Sequence, residues 1–420
     1  MREGRRTSVK RTAVVCVAVT LAGSACSAIV GVGDITFTDA GRDAMSAGRD
    51  SMTFGDGGTA DTEKMKDGHS SAADTGLEAS TADTSGDGAQ DANGCKGSFV
   101  SDSNNCGACG YACVNGRTCV SSLCTPAWQP IATTGAPAAR SRHAAVGFSG
   151  NYVTFGGALT PTGARAGLAT GGSYDPTSDT WSTLPDLNQA RCAHSAVSSG
   201  ASIYTFGGLS DCSNGFDVGP GLEVFDGTAW TANTTPGAPV LRYDFPAAWT
   251  GTQMFVFGGG GSGFSTTPTG ALFNPAGPEW TEADCPLTGC AFSTNLALFV
   301  DGNFVRVWGG FAYDLTQQTW SPWTLPANTP TSEFAQTYAD DGRRIFFLNS
   351  TTGSCSQSIE ILIYDRNSSS WLATDTSTAP AGLVSTAPAA WVGSELIAWS
   401  GDCGSGPSTT GGRYQPPAPL

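Results

Sequence analysis

The chain has 420 residues, 56 of them glycine, and only 14% are charged. That length exceeds an ordinary single domain unless a large repeat fold takes most of it. Low charge with abundant Gly and Trp suits an all-β protein better than a helical one. A formal net charge of −15 argues against nucleic-acid binding, which needs basic surface.

In chain order, residues 1–26 read as an export signal. Arg2, Arg5, Arg6, Lys10 and Arg11 precede a short apolar run, "TAVVCVAVTLAG", and then the small residues "GSAC". The run is shorter than the ~20 residues a membrane span needs. It resembles a bacterial lipoprotein signal with Cys26 as the lipidated residue, and a plain cut after Ala25 is the competing reading. The resemblance implies an exported, outer-membrane lipoprotein of the cell envelope, facing outside or the periplasm. Its contact with the membrane would be through the lipid anchor only.

Residues 27–94 read as a disordered acidic tether. Between Asp34 and Asp91 there are eleven Asp and two Glu against two Arg and two Lys, which gives 13 − 4 = 9 net negative charges. Such a segment buries too little apolar surface to offset its ordering entropy.

Residues 95–124 hold Cys95, Cys106, Cys109, Cys113, Cys119 and Cys124. So small a piece needs covalent staples, and six cysteines allow 15 connectivities. Zinc at Cys106, Cys109 and Cys113 is the rival reading, disfavoured because exported chains oxidise their cysteines. The run "NCGACGYACVNGRTCVSSLC" resembles the Stig1-type Cys-rich modules of exported proteins, which implies a spacer or binding knob.

From residue 125 one phrase recurs: "NYVTFGG", "SIYTFGG", "QMFVFGG", "FVRVWGG", then the weaker "RIFFLNS" and "ELIAWSG". The aligned residues Phe155, Phe206, Phe257, Trp308, Leu348 and Trp399 lie 51, 51, 51, 40 and 51 apart. A period of this size with alternating apolar strands marks a propeller or solenoid. Each unit reads as four strands. The first two are joined by a Gly-bearing turn such as Gly150–Asn151, the third ends in an aromatic, and the fourth opens with Trp181, Trp230, Trp280, Trp320 or Trp371. The sixth copy reaches Tyr414 without a following Trp. Upstream, "WQPIATTGAPAAR" matches the fourth-strand phrases "WSTLPDLNQAR" and "WTANTTPGAPVLR". Trp128 is therefore expected to complete the sheet formed by residues 384–415.

The Gly doublet, the following Tyr and the spaced Trp resemble the kelch repeat. The resemblance implies a kelch-type β-propeller with one four-stranded sheet per repeat. With six copies and the Trp128 strand, residues 125–420 are expected to form six blades closed by an N-terminal outer strand, and the chain is expected to be a monomer. The remaining cysteines sit at blade ends, and the expected pairs are Cys192–Cys212, Cys285–Cys290 and Cys355–Cys403.

Arg140, Arg191 and Arg242 hold equivalent places, fifteen before Phe155, Phe206 and Phe257. His143 and His194 do so twelve before Phe155 and Phe206. In a propeller these five residues are expected around one mouth of the central channel. They bind an anionic or carbohydrate ligand through bidentate hydrogen bonds, or they secure loops between blades. The second reading is preferred, because a fold does not imply a function. No nucleophile elbow, P-loop or HExxH motif is present, so no catalytic residue, metal or cofactor is assigned. The expected function is binding of a protein or glycan at the cell surface, through loops at 157–172, 208–222, 259–270 and 401–412. A sugar-active enzyme resembling the sialic acid mutarotases is the alternative, with Glu333 and Arg242 as candidate acid and base.

Overall fold

In the computed structural model the described residues are 98–159, 166–213, 217–262, 269–288, 290, 297–326, 338–350, 359–372, 378–402, 404 and 406–418. Cys26, His69, Cys95, Glu333, Cys355 and Cys403, with the whole of the expected signal and tether, lie outside them. The described chain is all β. A hairpin of β1 (Thr118–Val120) and β2 (Leu123–Thr125) precedes β3 (Trp128–Pro130).

Six four-stranded antiparallel sheets follow. Blade one is β4 (Ala144–Phe148), β5 (Asn151–Phe155), β6 (Gly171–Asp175) and β7 (Thr180–Leu184). Blade two is β8 (Ser195–Ser198), β9 (Ile203–Phe206), β10 (Leu222–Phe225) and β11 (Trp230–Asn233). Blade three is β12 (Ala247–Trp249), β13 (Met254–Phe257), β14 (Gly270–Asn274) and β15 (Glu279–Glu282). Blade four is β16 (Leu298–Asp301), β17 (Phe304–Val307), β18 (Phe311–Asp314) and β19 (Thr319–Pro322). Blade five is β20 (Tyr338–Asp340), β21 (Arg344–Ser350), β22 (Ile359–Asp365) and β23 (Ser370–Trp371). Blade six is β24 (Ala389–Val392), β25 (Glu395–Trp399), β26 (Gly411–Tyr414) and, outermost, β3.

Closure occurs where the unmatched tryptophan placed it. β3 pairs antiparallel with β26, with Trp128 opposite Tyr414 and the two ring centroids 5.2 Å apart. No free radial edge remains between the first and last blades, and free edges are what closed β folds avoid.

The repeat period becomes a seam between blades. The outer-strand Trp of each blade packs on the aligned residue of the preceding blade. Trp230 lies 4.8 Å from Phe155, Trp280 5.1 Å from Phe206 and Trp320 4.7 Å from Phe257. Trp371 lies 5.2 Å from Trp308, Trp181 lies 5.4 Å from Trp399, and Trp128 shares a core with Leu348. Large rings suit this place because they fill the widening space between twisted sheets.

The weak copies differ from the others in two ways. Where Asn349–Ser350 replaces the Gly doublet, nothing breaks the ladder. β21 runs on to Ser350, opposite Ile359 in β22, and both strands have seven residues. In blade six Ser400–Gly401 keeps the doublet's conformation, with φ of 62° and 91°. The strained Ser400 is held by its own hydroxyl, which donates to Ser408 O at 2.7 Å and accepts from Arg140 N at 2.9 Å.

The Cys-rich segment is no free spacer. Disulfides Cys106–Cys119 and Cys113–Cys124 hold it, Cys109 is also disulfide-bonded, and the segment is fastened to blade six. Arg117 Nη1 meets Glu395 Oε1 at 2.6 Å with both side chains buried. Asn115 Nδ2 donates to Glu395 Oε2 at 2.7 Å. Gln415 Nε2 donates to Ala112 O at 2.7 Å, and Tyr111 Oη donates to Pro416 O. The segment thus clasps the blade that closes the ring. The sulfurs of Cys106, Cys113 and Cys124 lie within 4.8 Å of one another, but each belongs to a disulfide and is not the thiolate that zinc needs.

Candidate functional site: the axial channel and its upper mouth

The six inner strands β4, β8, β12, β16, β20 and β24 surround an axial cavity of about 680 Å³. The ends where these strands begin form the upper mouth.

The three repeat arginines do not ring that mouth, and the expectation is corrected. Arg140, Arg191 and Arg242 are at most 1% exposed, and each turns back into its own blade. Arg140 Nη1 donates to Gly156 O at 2.8 Å and Thr170 O at 2.6 Å. Arg242 Nη1 repeats this with Gly258 O at 3.0 Å and Thr269 O at 2.6 Å. Arg191 Nη1 takes Gly207 O and Gly221 O, and its Nη2 donates to the buried carboxylate of Glu223. The cause lies in the Gly doublet. Its positive-φ residues end the regular ladder between second and third strands, and the buried carbonyl of each first doublet glycine must find a donor. Thr170 O and Thr269 O accept from Gly156 N and Gly258 N as well. A guanidinium supplies several donors in a fixed fork. Burial lowers the Arg140 and Arg242 pKa to about 10, which leaves both cationic at neutral pH.

The histidines occupy blade seams beside the channel. His143 Nε2 lies 3.2 Å from Trp399 O of blade six, and His194 packs on Phe155 of blade one, 5.5 Å between ring centroids. A Cβ on Gly156 would stand 2.3 Å from His194 Cε1, so the first doublet glycine makes room for the next blade's histidine. Phe245 takes the same place against Gly207. Both histidines line the cavity. His143 Nδ1 and both His194 nitrogens are nevertheless buried with no hydrogen-bond partner among the described residues. Burial first, then the neighbouring arginine, holds His143 down at about 3 and His194 well below the ordinary imidazole value. Both rings are neutral.

Charge at the mouth comes from residues that the sequence reading missed. Arg142 Nη2 meets Asp244 Oδ2 at 2.7 Å, and Arg142 Nη1 donates to Cys212 O at 3.2 Å. Beneath this bridge runs a backbone relay through blades one, two and three. Ala193 N donates to Arg142 O at 2.7 Å, and Asp244 N donates to Ala193 O at 2.8 Å. All three residues have positive φ, at 55°, 54° and 47°. A signal for the pair exists in the sequence, since 102 residues separate Arg142 from Asp244, which is two repeat intervals of 51.

The upper-face loops lean on one another. Gly167 N donates to Ser210 O, Arg191 N to Leu168 O and Cys192 N to Leu209 O. The Cys192–Cys212 disulfide ties the second of these loops to its blade, and Cys285–Cys290 closes a loop after blade three. The expected Cys355–Cys403 pair and Glu333 fall outside the described residues. No protein-family model matches the chain, and no curated protein matches it.

Proposed function

We propose that this is an exported, lipid-anchored protein of the cell envelope whose kelch-like propeller binds a protein or glycan through its upper-face loops. The observation that carries this reading is the cross-linked upper face. Loops of neighbouring blades are joined by backbone hydrogen bonds, and a disulfide pins the blade-two loop to its own blade; a pre-organised surface lowers the entropic cost of binding. Leu159, 47% exposed, and Val240, 64% exposed, add apolar contact area near that face. The disulfides support export to an oxidising compartment. The sugar-enzyme alternative called for a carboxylate beside Arg140, Arg191 or Arg242 in an open mouth. The carboxylate that meets Arg191 is Glu223, buried inside blade two, and this favours binding over catalysis.

A glycan array probed with the full chain tests the reading. Selective binding is expected, weakened by Leu159→Asp and by Cys192→Ser with Cys212→Ser. Binding unchanged in all of these variants would refute the assignment to the upper loops. Palmitate labelling that persists in Cys26→Ser would refute the anchor.

A further inference from the structure

The axial channel carries a second inference, independent of the loops. Each inner strand pairs with its neighbour along one edge only, so its other edge faces the axis. Alternate N–H and C=O groups on such an edge have no ladder partner. Backbone N–H and C=O groups bond polar partners, so the channel wall offers both donors and acceptors to a ligand that can replace water.

The protein itself shows what this edge takes. Tyr338 of blade five reaches over to blade three, where its hydroxyl donates to Ala247 O at 3.4 Å. Burial, with Asp340 close by, keeps that phenol protonated. Elsewhere the wall includes the small Ala145 and Ala196, which also pack on the cores between neighbouring blades. Aromatic surface stands on opposite sides of the lower mouth. Trp249 of blade three stacks on Tyr204 with an interplanar angle of 4°, and Trp391 of blade six stacks on Phe346 at 9°. Both tryptophans are half-buried and line the cavity.

Two of the three carboxylates in the wall are matched by cations. Asp244 pairs with Arg142, and Asp340 pairs bidentately with Arg366. The Asp402 carboxylate accepts from Gly404 N and Gly406 N. Arg142, the one arginine or lysine among the described lining residues, already has a carboxylate partner, and desolvating a charged ligand is costly.

We propose that the lower half of the channel, between the Tyr338 crossbar and the Trp249–Trp391 rim, binds a neutral, hydroxyl-rich small molecule of saccharide size. Its hydroxyls meet the open strand edges, and its C–H faces meet the indole rings. The whole channel cavity, about 680 Å³, lies within the ~300–1,000 Å³ usual for small-molecule sites, and the site takes part of it.

The test uses the full chain with methyl glucoside, methyl galactoside, methyl mannoside and methyl N-acetylglucosaminide, and with glucuronate and glucosamine as charged controls. Calorimetry is expected to show one-to-one binding of at least one neutral glycoside. Affinity should fall about tenfold in Ala145→Leu and in Ala196→Leu, which enlarge side chains of the wall. It should be unchanged in Leu159→Asp, which separates this site from the upper loops. Should a channel variant fail to fold, fluorotryptophan labelling of the unmutated chain decides. The ligand should shift the Trp249 and Trp391 resonances and leave Trp128 in place. Three outcomes would overturn the proposal: no neutral glycoside binds, a charged control binds equally well, or ligand binds without moving those two resonances.

Discussion

Arg142 and Asp244 stand at the same place in blades one and three, and their side chains meet at 2.7 Å over blade two. The relay through Ala193 lies beneath them. Three blades are thus tied at the mouth by one ion pair and two backbone bonds. Both side chains keep about a quarter of their exposure, so solvent screens the pair. A double-mutant cycle with Arg142→Met and Asp244→Asn should give a coupling of ~0.5–1 kcal/mol. That coupling should shrink in 1 M salt, where the Debye length is about 3 Å.

Arg191 and Glu223 behave differently, because both are buried. Glu223 also accepts from Asn188 N, Asn188 Nδ2 and Gln189 N. Glu223→Leu strands a buried cation and three donors, and the expected loss is about 3–5 kcal/mol. Arg191→Met with Glu223→Leu should cost less than the two single changes summed. Urea unfolding of the three variants measures this, and strict additivity would count against a coupled pair.

The seam histidines predict acid lability. Above pH 6.5 both rings are neutral whether the chain is folded or unfolded, and their packing is fully available. As pH falls the unfolded chain takes up protons that the folded seams resist, down to about 3 for His143. Each ring then removes up to about 1.4 kcal/mol per pH unit in that window. Blade three already carries Phe245 at this position. His194→Phe should therefore fold, and its stability should fall less steeply between pH 6 and 4 than that of the parent.

Gly156 and Gly150 form a matched pair of controls. Both have positive φ, at 70° and 79°. A Cβ on Gly156 would meet His194 and Arg191 O at 2.3 and 2.9 Å, whereas a Cβ on Gly150 meets nothing within 4 Å. Gly150→Ala should cost about 1 kcal/mol from backbone strain alone. Gly156→Ala should cost ~1–3 kcal/mol more, because the next blade must move. Equal losses would mean that the seam does not need the glycine.

Trp128 should hold the ring shut from far away in sequence. It is 5% exposed and packs in the blade-five and blade-six core. Trp128→Ala should lose about 3–5 kcal/mol. Deleting residues 125–135 should lower the melting temperature of the whole propeller, and an unchanged melting temperature would contradict closure through β3.

Much of the architecture was legible in the chain. Strand alternation, turn glycines and recurring tryptophans are local features, and a repeat multiplies them until the period names the fold. Trp128 was legible for the same reason, since five outer tryptophans for six second strands left one blade to fill. The Trp249–Trp391 pair was there to be found too, each eight residues before its blade's aligned aromatic. It was missed because nothing in the sequence says which strand faces an axis.

The side-chain partners depend on the assembled ring. Equivalent spacing of Arg140, Arg191 and Arg242 suggested a shared mouth, yet each guanidinium turns inward to a carbonyl of its own Gly doublet. The Arg117–Glu395 clasp joins residues 278 apart, and Tyr338 reaches Ala247 across 91. The amino-acid sequence by itself determined the number of blades, their strands and the strand that closes them, because those follow from short-range pattern and count. Only the tertiary structure decided which charges are buried, which are paired and what the channel can hold, because those depend on distances between blades that no local pattern encodes.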